Sequence, residues 1–245
     1  NEWGSNYGGH FLMEAEKQGF KIPVTLKNNW LSYQRKQARN WRYKSGSSNF
    51  HGAEHTNDLT QSYRLYTLAL AGKPELSAMN RMKEITTLSS TAKWRLAGAY
   101  VLVGRPEVAK QLIHKVDVNV KDYTELSYSF GSGVRDEAMI LEVLALMNEK
   151  TKGGLLAKQL AEKMNEDRWM STQTTAYSLI AMSKFIGVSA VDKTMRFTYT
   201  PQGGKSISKA SQAVVYKNNI DVNGKTSSVQ LKNTGKGLLY AKLVV

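Results

Sequence analysis

The sequence has 245 residues, carries a formal net charge of +14 and is 41% hydrophobic, as expected for a globular chain of one large or two small domains. It contains no cysteine, which excludes disulfide bonds, Cys-ligated zinc and thiol nucleophiles within the chain. No stretch of about 18 uncharged apolar residues occurs, so the sequence predicts no membrane-spanning helix.

Apolar stretches with helical spacing alternate with short Gly-, Pro- and Ser-rich connections up to about residue 187. The first residue is Asn1 rather than Met, so we expect an excised piece of a larger protein or the loss of a leader. The predicted helices, in chain order, cover residues 10–18, 25–43, 58–71, 75–88, 94–103, 106–116, 138–147, 155–165 and 176–186.

Two of the connections repeat one another. Gly72-Lys73-Pro74-Glu75 lies between two predicted helices, and Gly104-Arg105-Pro106-Glu107 follows in the equivalent place. Gly tolerates the left-handed conformation that ends a helix, and Pro suits the first turn of the next one. The pattern predicts a repeated helix–turn–helix unit.

The predicted helices also alternate in character. Those at 94–103, 138–147 and 176–186 are apolar on nearly every side, whereas those at 75–88, 106–116 and 155–165 are amphipathic. A helix that is apolar all round has to be covered all round, and an amphipathic helix has one face in water. The alternation therefore predicts inner helices wrapped by outer helices, as in an α/α toroid or an α-solenoid.

The pattern changes after Gly187. Residues 195–200 alternate with a period of two, and short β-branched or aromatic runs follow at 213–216, 228–231 and 238–245. Pro201–Gly204 and Asn223-Gly224 predict turns between strands. This part contains nine lysines and arginines against two aspartates, which is typical of a solvated β surface. We place the domain boundary near residue 190, between residues 1–189 and 190–245.

One short segment matches a metal-binding pattern. His51, Glu54 and His55 form a literal H-x-x-E-H, in which two histidines on one helical face hold zinc and the glutamate acts as a base. The preceding Ser-Gly-Ser-Ser-Asn run and the internal Gly52 favour a polar loop instead. A third ligand would have to come from Glu125 or Glu137, and nothing in the sequence marks either. We predict no metal and no cofactor.

A second segment, Gln34–Lys44, mixes basic and aromatic residues in a way that can bind single-stranded nucleic acid. An amphipathic helix with its tryptophans inward and its arginines in solvent gives the same pattern, and we favour it. No pair of carboxylates stands out as a general acid and base. The sequence therefore predicts neither a nucleic-acid site nor a complete active site.

Three segments resemble the helical thioester-type domain of bacterial α2-macroglobulins. The most specific is Arg168–Leu179, RWMSTQTTAYSL, which is similar to the W-x-S-T-Q-x-T-A helix near the end of that domain. Gly9–Ala15 with Gly19–Pro23, and then Leu59–Gly72, resemble earlier parts of the domain in the family's order. The motif residues that this resemblance identifies are Trp169, Ser171, Thr172, Gln173 and Thr175.

The resemblance implies a mainly α fold: a partial α/α toroid of paired inner and outer helices over residues 1–189, then a CUB-like or macroglobulin-like β segment over residues 190–245. It implies a non-catalytic fragment of a protease trap, with proteases and neighbouring domains of the parent chain as partners. The implied location is a bacterial periplasm or cell surface, with a lipid anchor in a missing N-terminal part. The family's Gly-Cys-x-Glu-Gln thioester motif lies upstream of the matched segments, and this sequence has no cysteine, so no thioester residue is carried over.

Two alternatives stay open on the residues alone. A toroid carbohydrate hydrolase or lyase predicts a deep cavity lined by facing carboxylates and aromatic side chains. A helical-repeat protein-binding scaffold predicts an open superhelix, which the Gly/Pro repeat also fits.

Overall fold

The computed structural model describes residues 1–43, 57–167, 169–189, 194–213, 216–219, 228–235, 239 and 241. Within these ranges the chain is mainly α with a small β-sheet, as the sequence predicts. The helices are α1 (Glu2–Lys17), α2 (Val24–Asn40), α3 (Asn57–Leu70), α4 (Leu76–Lys83), α5 (Ser90–Leu102), α6 (Pro106–Leu112), α7 (Gly133–Leu146), α8 (Lys150–Asn165) and α9 (Thr172–Ser189), and the strands are β1 (Met195–Pro201), β2 (Ile207–Ser211) and β3 (Val229–Asn233).

Helix α1 begins at Glu2, well before the predicted start at residue 10. The Asn1 side chain caps it, because its Oδ1 accepts a hydrogen bond from the Gly4 backbone N–H at 2.6 Å. Gly9 lies inside the helix: a Cβ there would collide with the indole ring of Trp30 on α2. The glycine is needed for the close approach of two helices and not for a turn.

The repeated connections are helix-ending turns of one kind. Gly72 has φ +69° and Gly104 has φ +75°, and Lys73 and Arg105 donate backbone hydrogen bonds to the carbonyls of Leu68 and Tyr100, both at 2.9 Å. These bonds satisfy carbonyls that the end of the helix leaves free. A third turn of this kind, between α7 and α8, has Asn148 at φ 56° in place of glycine, so the sequence pattern missed it.

Burial separates the helices of the first 185 residues into two sets. Helix α7 is buried from Gly133 to Ala145, and α5 is buried along most of its length. Helices α4, α6 and α8 bury only one stripe each. Along the chain α3 packs on α5 and α5 on α7, while α4, α6 and α8 each pack on the buried helix before them. One hydrophobic core runs from Trp3 to Phe185.

The β segment forms a three-stranded antiparallel sheet in the order β2-β1-β3. The turn at Pro201–Gly204 joins β1 to β2, with Gly203 at φ +73° and the Gly204 N–H on the Pro201 carbonyl at 2.9 Å. Strand β2 was not predicted, because its residues are mostly polar and exposed. The predicted strand at 213–216 is not formed at Ala213 or Tyr216, and Leu239 and Ala241 of the predicted strand 238–245 are not in a strand either. The predicted Asn223-Gly224 turn lies outside the described residues.

Two compact units divide the chain, Asn1–Phe185 and Ile186–Val245. The sequence placed the boundary four residues further on, near residue 190. No helix of the described residues combines the length and apolar character that crossing a membrane requires.

Candidate functional site

Five helices of the first unit contribute side chains to one cluster, which we call the central ionic cluster. Its members lie on the inward faces of α1, α3, α5, α7 and α9. They are His10, Glu14, Tyr63, Tyr66, Arg95, Glu142, Tyr177 and Lys184.

Glu142 contacts both cations of this cluster, and it is 1% exposed. Its Oε2 accepts a hydrogen bond from Nη1 of Arg95 at 2.5 Å, and its Oε1 accepts one from Nζ of Lys184 at 2.6 Å. Lys184 also donates to Oε1 of Glu14 at 2.8 Å. Two carboxylates thus face two cations, and burial of these charges is tolerable because each is paired.

The Arg95 guanidinium is also held by aromatic rings. Its central carbon lies 3.5 Å from the centre of the Tyr66 ring and 5.0 Å from that of Tyr63. Nε and Nη2 of Arg95 make no hydrogen bond in the described part of the chain. Attraction between a cation and the face of a ring compensates in part for the missing bonds.

His10 links the charged part of the cluster to its tyrosines. Nδ1 lies 3.1 Å from the hydroxyl of Tyr63 and 3.2 Å from that of Tyr177, and these two hydroxyls are hydrogen-bonded to each other. Nε2 lies 3.6 Å from Glu14 and 3.5 Å from Glu142. A proton on Nε2 fits this arrangement, because Nδ1 can then accept from a tyrosine while the N–H faces the carboxylates.

The cluster shifts the pKa values of its members. Burial alone would raise the pKa of Glu14, but hydrogen bonds with His10 and Lys184 outweigh it and lower the pKa to about 2. Burial opposes ionisation of Glu142 as well, yet the positive charges of Arg95 and Lys184, together with the neighbouring His10, hold its pKa well below the ordinary range. Burial raises the pKa of Tyr63 and Tyr66. The carboxylates are therefore ionised and the tyrosines are neutral at neutral pH.

His10, Glu14 and Glu142 also place three potential metal ligands within 4.8 Å of one another. However, the carboxylate oxygens that would bind a metal, Oε1 of each glutamate, are the atoms that Lys184 binds. The ammonium group already supplies a cation at that position, so a divalent ion would have to displace it. The geometry favours an ion-paired scaffold over a metal centre.

Most of this cluster is closed to solvent in the part of the chain that the structure describes. His10, Arg95, Glu142 and the tyrosines are buried, and only Glu14 and Lys184 are partly exposed. The two surface cavities beside α2 are lined by other residues. A catalytic pair of carboxylates needs contact with a substrate, whereas these two are closed off by cations of their own chain.

The motif segment lies at the start of α9 and forms a second network. Oε1 of Gln173 accepts from Trp3 Nε1 at 2.9 Å and from Arg135 Nη1 at 3.2 Å. Oγ of Ser171 accepts from the Thr174 N–H at 3.1 Å and donates to the Phe130 carbonyl at 3.0 Å. These two motif residues therefore join α9 to α1, to α7 and to the loop before α7.

The other motif residues contribute less to the interior. Trp169 is 67% exposed, Thr172 is exposed, and Thr175 donates only to the Ser171 carbonyl at 3.3 Å. His51, Glu54 and His55 lie outside the described residues, so the polar loop that we predict for them in place of a zinc site stays a prediction. Both acids that could complete it have other partners: Glu125 binds three serine and tyrosine residues of its own loop, and Glu137 binds Lys163.

The loop before α7 is organised around Glu125. Its two oxygens accept hydrogen bonds from the backbone N–H groups of residues 127, 128 and 129 and from the hydroxyls of Ser127 and Ser129. Burial alone would raise the pKa of Glu125, but these bonds lower it to about 2. The loop presents three large apolar side chains to solvent: Leu126 at 64%, Tyr128 at 45% and Phe130 at 48% exposure. We call these three residues the aromatic loop.

Sequence reasoning missed the central ionic cluster, although a signal was present. Arg95, Glu142 and Lys184 are the single charges of the helices predicted at 94–103, 138–147 and 176–186, which are otherwise apolar nearly all round. A charge in such a position has to be paired in the interior, so three of them on different inner helices indicate a shared site. The pairing itself depends on how the helices meet, which their periodicity does not give.

No protein-family model matches the sequence, and no curated protein matches it either. The structure is similar to native α2-macroglobulin of Escherichia coli, with a TM-score of 0.65, 18% identity and coverage of 95% of this chain and 14% of that one. Salmonella α2-macroglobulin reacted with methylamine gives a TM-score of 0.64, 18% identity, and 95% and 14% coverage. E. coli α2-macroglobulin activated by porcine elastase gives 0.60, 18% identity, and 96% and 21% coverage.

The fold is therefore that of a stretch of the bacterial α2-macroglobulins. The chain spans only 14% to 21% of the length of these three structures.

Proposed function

We propose that the chain is a non-catalytic part of an α2-macroglobulin-like protease inhibitor. The observation that carries this proposal is the structural similarity, which extends over 95% of the chain and so includes both helical and β parts. The in-order resemblance of Gly9–Ala15, Leu59–Gly72 and Arg168–Leu179 to the family supports it independently. By the same resemblance we assign the parent protein to a bacterial envelope.

Within such a protein, the first unit would be the toroid. Two observations support this: helices that are buried along most of their length alternate with helices that bury one stripe, and five helices converge on the central ionic cluster. A cluster built from all five would fix their positions around a common axis, because each buried charge loses its partner if one helix moves away. We infer a rigid body whose role is mechanical.

A structural role also fits the chemistry of the chain. Glu14 and Glu142, which converge in space, are ion-paired with Lys184 and Arg95, so neither is available as a general acid or base. A thioester needs a cysteine, and the sequence has none. A thioester of the parent protein would therefore have its cysteine outside this chain.

The aromatic loop and Trp169 are the surface that we assign to docking. Ser171 binds the carbonyl of Phe130 and stands two residues after Trp169, so the loop is connected to the motif segment. Four large, exposed apolar side chains indicate a surface that another protein covers. The occupant we propose is a neighbouring domain of the same protein, because the similar structures are about five to seven times longer than this chain.

Size-selective protection of a bound protease tests the proposal. The full-length protein that contains this chain would be incubated with elastase, and cleavage of a small peptide substrate and of a large protein substrate would then be measured. We expect cleavage of the peptide to persist and cleavage of the protein substrate to be lost. The isolated 245-residue chain is the control and should affect neither. Equal cleavage of both substrates after incubation would exclude a protease trap.

The docking role has its own test. Tyr128→Ser with Phe130→Ser in the full-length protein should loosen the native arrangement of domains, seen as faster limited proteolysis between domains. Phe11→Ser with Phe20→Ser is the matched control, because both residues are also exposed, at 67% and 68%, but lie on or beside α1. If both pairs change the proteolysis pattern alike, the aromatic loop has no special role.

A further inference from the structure

A cavity on the surface beside α2 is strongly basic. It has a volume of about 620 Å³ and is lined by four cationic side chains: Arg35, Lys36, Arg39 and Lys73. We call it the basic groove. Three of the cations lie on α2, and Lys73 comes from the turn between α3 and α4. A cavity of this size can take a ligand as large as a phosphorylated sugar.

A buried acid holds the two arginines of the groove in place. Glu75, whose side chain is 9% exposed, accepts from Nε of Arg35 at 2.5 Å and from Nε and Nη2 of Arg39 at 2.9 and 2.8 Å. The Nη1 groups of both arginines make no hydrogen bond within the part of the chain that the structure describes. The guanidinium groups are therefore fixed while part of their donor capacity stays free.

The two lysines add charge that the acid does not neutralise. Lys36 and Lys73 are exposed and form no ion pair among the described residues. Four cations and one carboxylate leave the groove with a net charge of +3. Asn28 and Ser32, which also line it, offer neutral hydrogen-bond donors beside the cations.

We propose that the basic groove binds a phosphate-bearing ligand, either a free phosphate ester or the phosphorylated headgroup of a lipid. Fixed guanidinium groups bind the paired oxygens of a phosphate well, and lysines add attraction without a strict geometry. None of the described residues that line the groove is aromatic, so these residues offer no surface on which nucleic-acid bases could stack. The proposal is independent of protease inhibition.

Calorimetric titration of the 245-residue chain with inorganic pyrophosphate tests the free-ligand source. Sedimentation with phosphatidylcholine vesicles, with or without phosphatidic acid, tests the lipid source. The diagnostic variant is Lys36→Glu with Lys73→Glu, which should weaken binding to either probe at least about tenfold, since two attractive charges become repulsive. The charge-matched control is Lys110→Glu with Lys152→Glu, two exposed residues on α6 and α8, and it should change binding less than about twofold.

Circular dichroism spectra of both double variants would show that each is folded. Binding of pyrophosphate identifies a free phosphate ester, and binding to phosphatidic acid vesicles alone identifies a lipid headgroup. Three results would overturn the proposal: no binding to either probe, equal weakening by the two double variants, or much tighter binding of a single-stranded oligonucleotide than of pyrophosphate.

Discussion

At the scale of single residues, stability depends on charges that are buried together. Glu142 pairs with Arg95 and shares Lys184 with Glu14 inside the first unit. A buried ion pair adds little compared with apolar packing, but loss of one partner is expensive because the other charge stays behind.

Glu142→Gln should therefore lower the free energy of unfolding by about 3 kcal/mol or more, since Arg95 would keep its charge without a carboxylate. Chemical denaturation at neutral pH measures the change. Glu162→Gln is the control, because Glu162 forms an exposed pair with Lys158 on α8 and exposed pairs contribute little. Similar losses in the two variants would contradict the central role of Glu142.

The same carboxylates predict how stability depends on pH. The pKa of Glu14 and that of Glu125 are lowered to about 2, and that of Glu142 is held well below its ordinary range. A carboxyl group whose pKa is lower in the folded state stabilises the fold above its unfolded pKa, about 4.3, and this stability is lost as the pH falls toward the folded pKa.

Unfolding free energy should thus be level above about pH 5 and fall steadily between about pH 4.5 and pH 2. Denaturation measured across this range would show the slope. Glu142→Gln should give a shallower slope, because one of the shifted groups is gone. A slope that is equally steep in this variant would mean that other acids dominate the acid sensitivity.

A substitution of Gln173 tests whether the motif segment stabilises the fold. Its Oε1 accepts from Trp3 and Arg135, both buried. Gln173→Ala should cost about 1–3 kcal/mol, because the indole N–H of Trp3 would be left without an acceptor in the interior. Thermal unfolding measures this cost, and Thr172→Ala, an exposed neighbour in the motif, should leave the transition nearly unchanged. An equal effect at both positions would argue against the network around Gln173.

At the scale of elements, two pairs of adjacent glycines allow the effect of helix propensity on stability to be distinguished from the effect of packing. A Cβ at Gly9 would meet the Trp30 ring and a Cβ at Gly153 would meet the ring of Phe185, whereas Gly8 and Gly154 have nothing within 4 Å. All four lie inside α1 or α8, where alanine is the better helix former.

Gly8→Ala and Gly154→Ala should each stabilise the chain by about 0.5–1 kcal/mol. Gly9→Ala and Gly153→Ala should instead destabilise it by about 1–3 kcal/mol, because the buried rings cannot move aside without strain. Unfolding midpoints of the four variants measure the difference. Stabilisation by all four would show that the helices do not pack as closely as described.

At the scale of the whole molecule, the chain consists of two units, and the hydrophobic core from Trp3 to Phe185 belongs to the first. Helix α9 continues to Ser189, so a cut after this residue keeps the helix whole. Residues 1–189 should therefore fold without the β segment, with the same helical circular dichroism signal and nearly the same unfolding midpoint as the helical part of the full chain. A fragment that is only partly helical, or that unfolds without a cooperative transition, would contradict this division.

The sequence by itself determined the order and type of most elements. Hydrophobic spacing predicted the helices, and Gly72 and Gly104 predicted two of the turns between them. The uniformly apolar character of the helices at 94–103 and 138–147 predicted that they are buried. These signals are local, since each depends on neighbours within a few turns.

The local signals failed in three places. Gly9 lies within α1 because it allows close contact with Trp30, and Asn148 adopts the left-handed conformation that glycine has in the other two turns. Strand β2 pairs with β1 although its residues are mostly polar.

Only the tertiary structure decided which residues meet. His10, Arg95, Glu142 and Lys184 are far apart in the sequence. Arg95, Glu142 and Lys184 each look like an isolated charge in a largely apolar stretch. Glu75 and the arginines of α2 likewise come together only when α2 packs beside the turn after α3. Periodicity fixes the face on which a side chain lies, but the rotation and tilt of one helix against another fix its partner, and these follow from packing over the whole core.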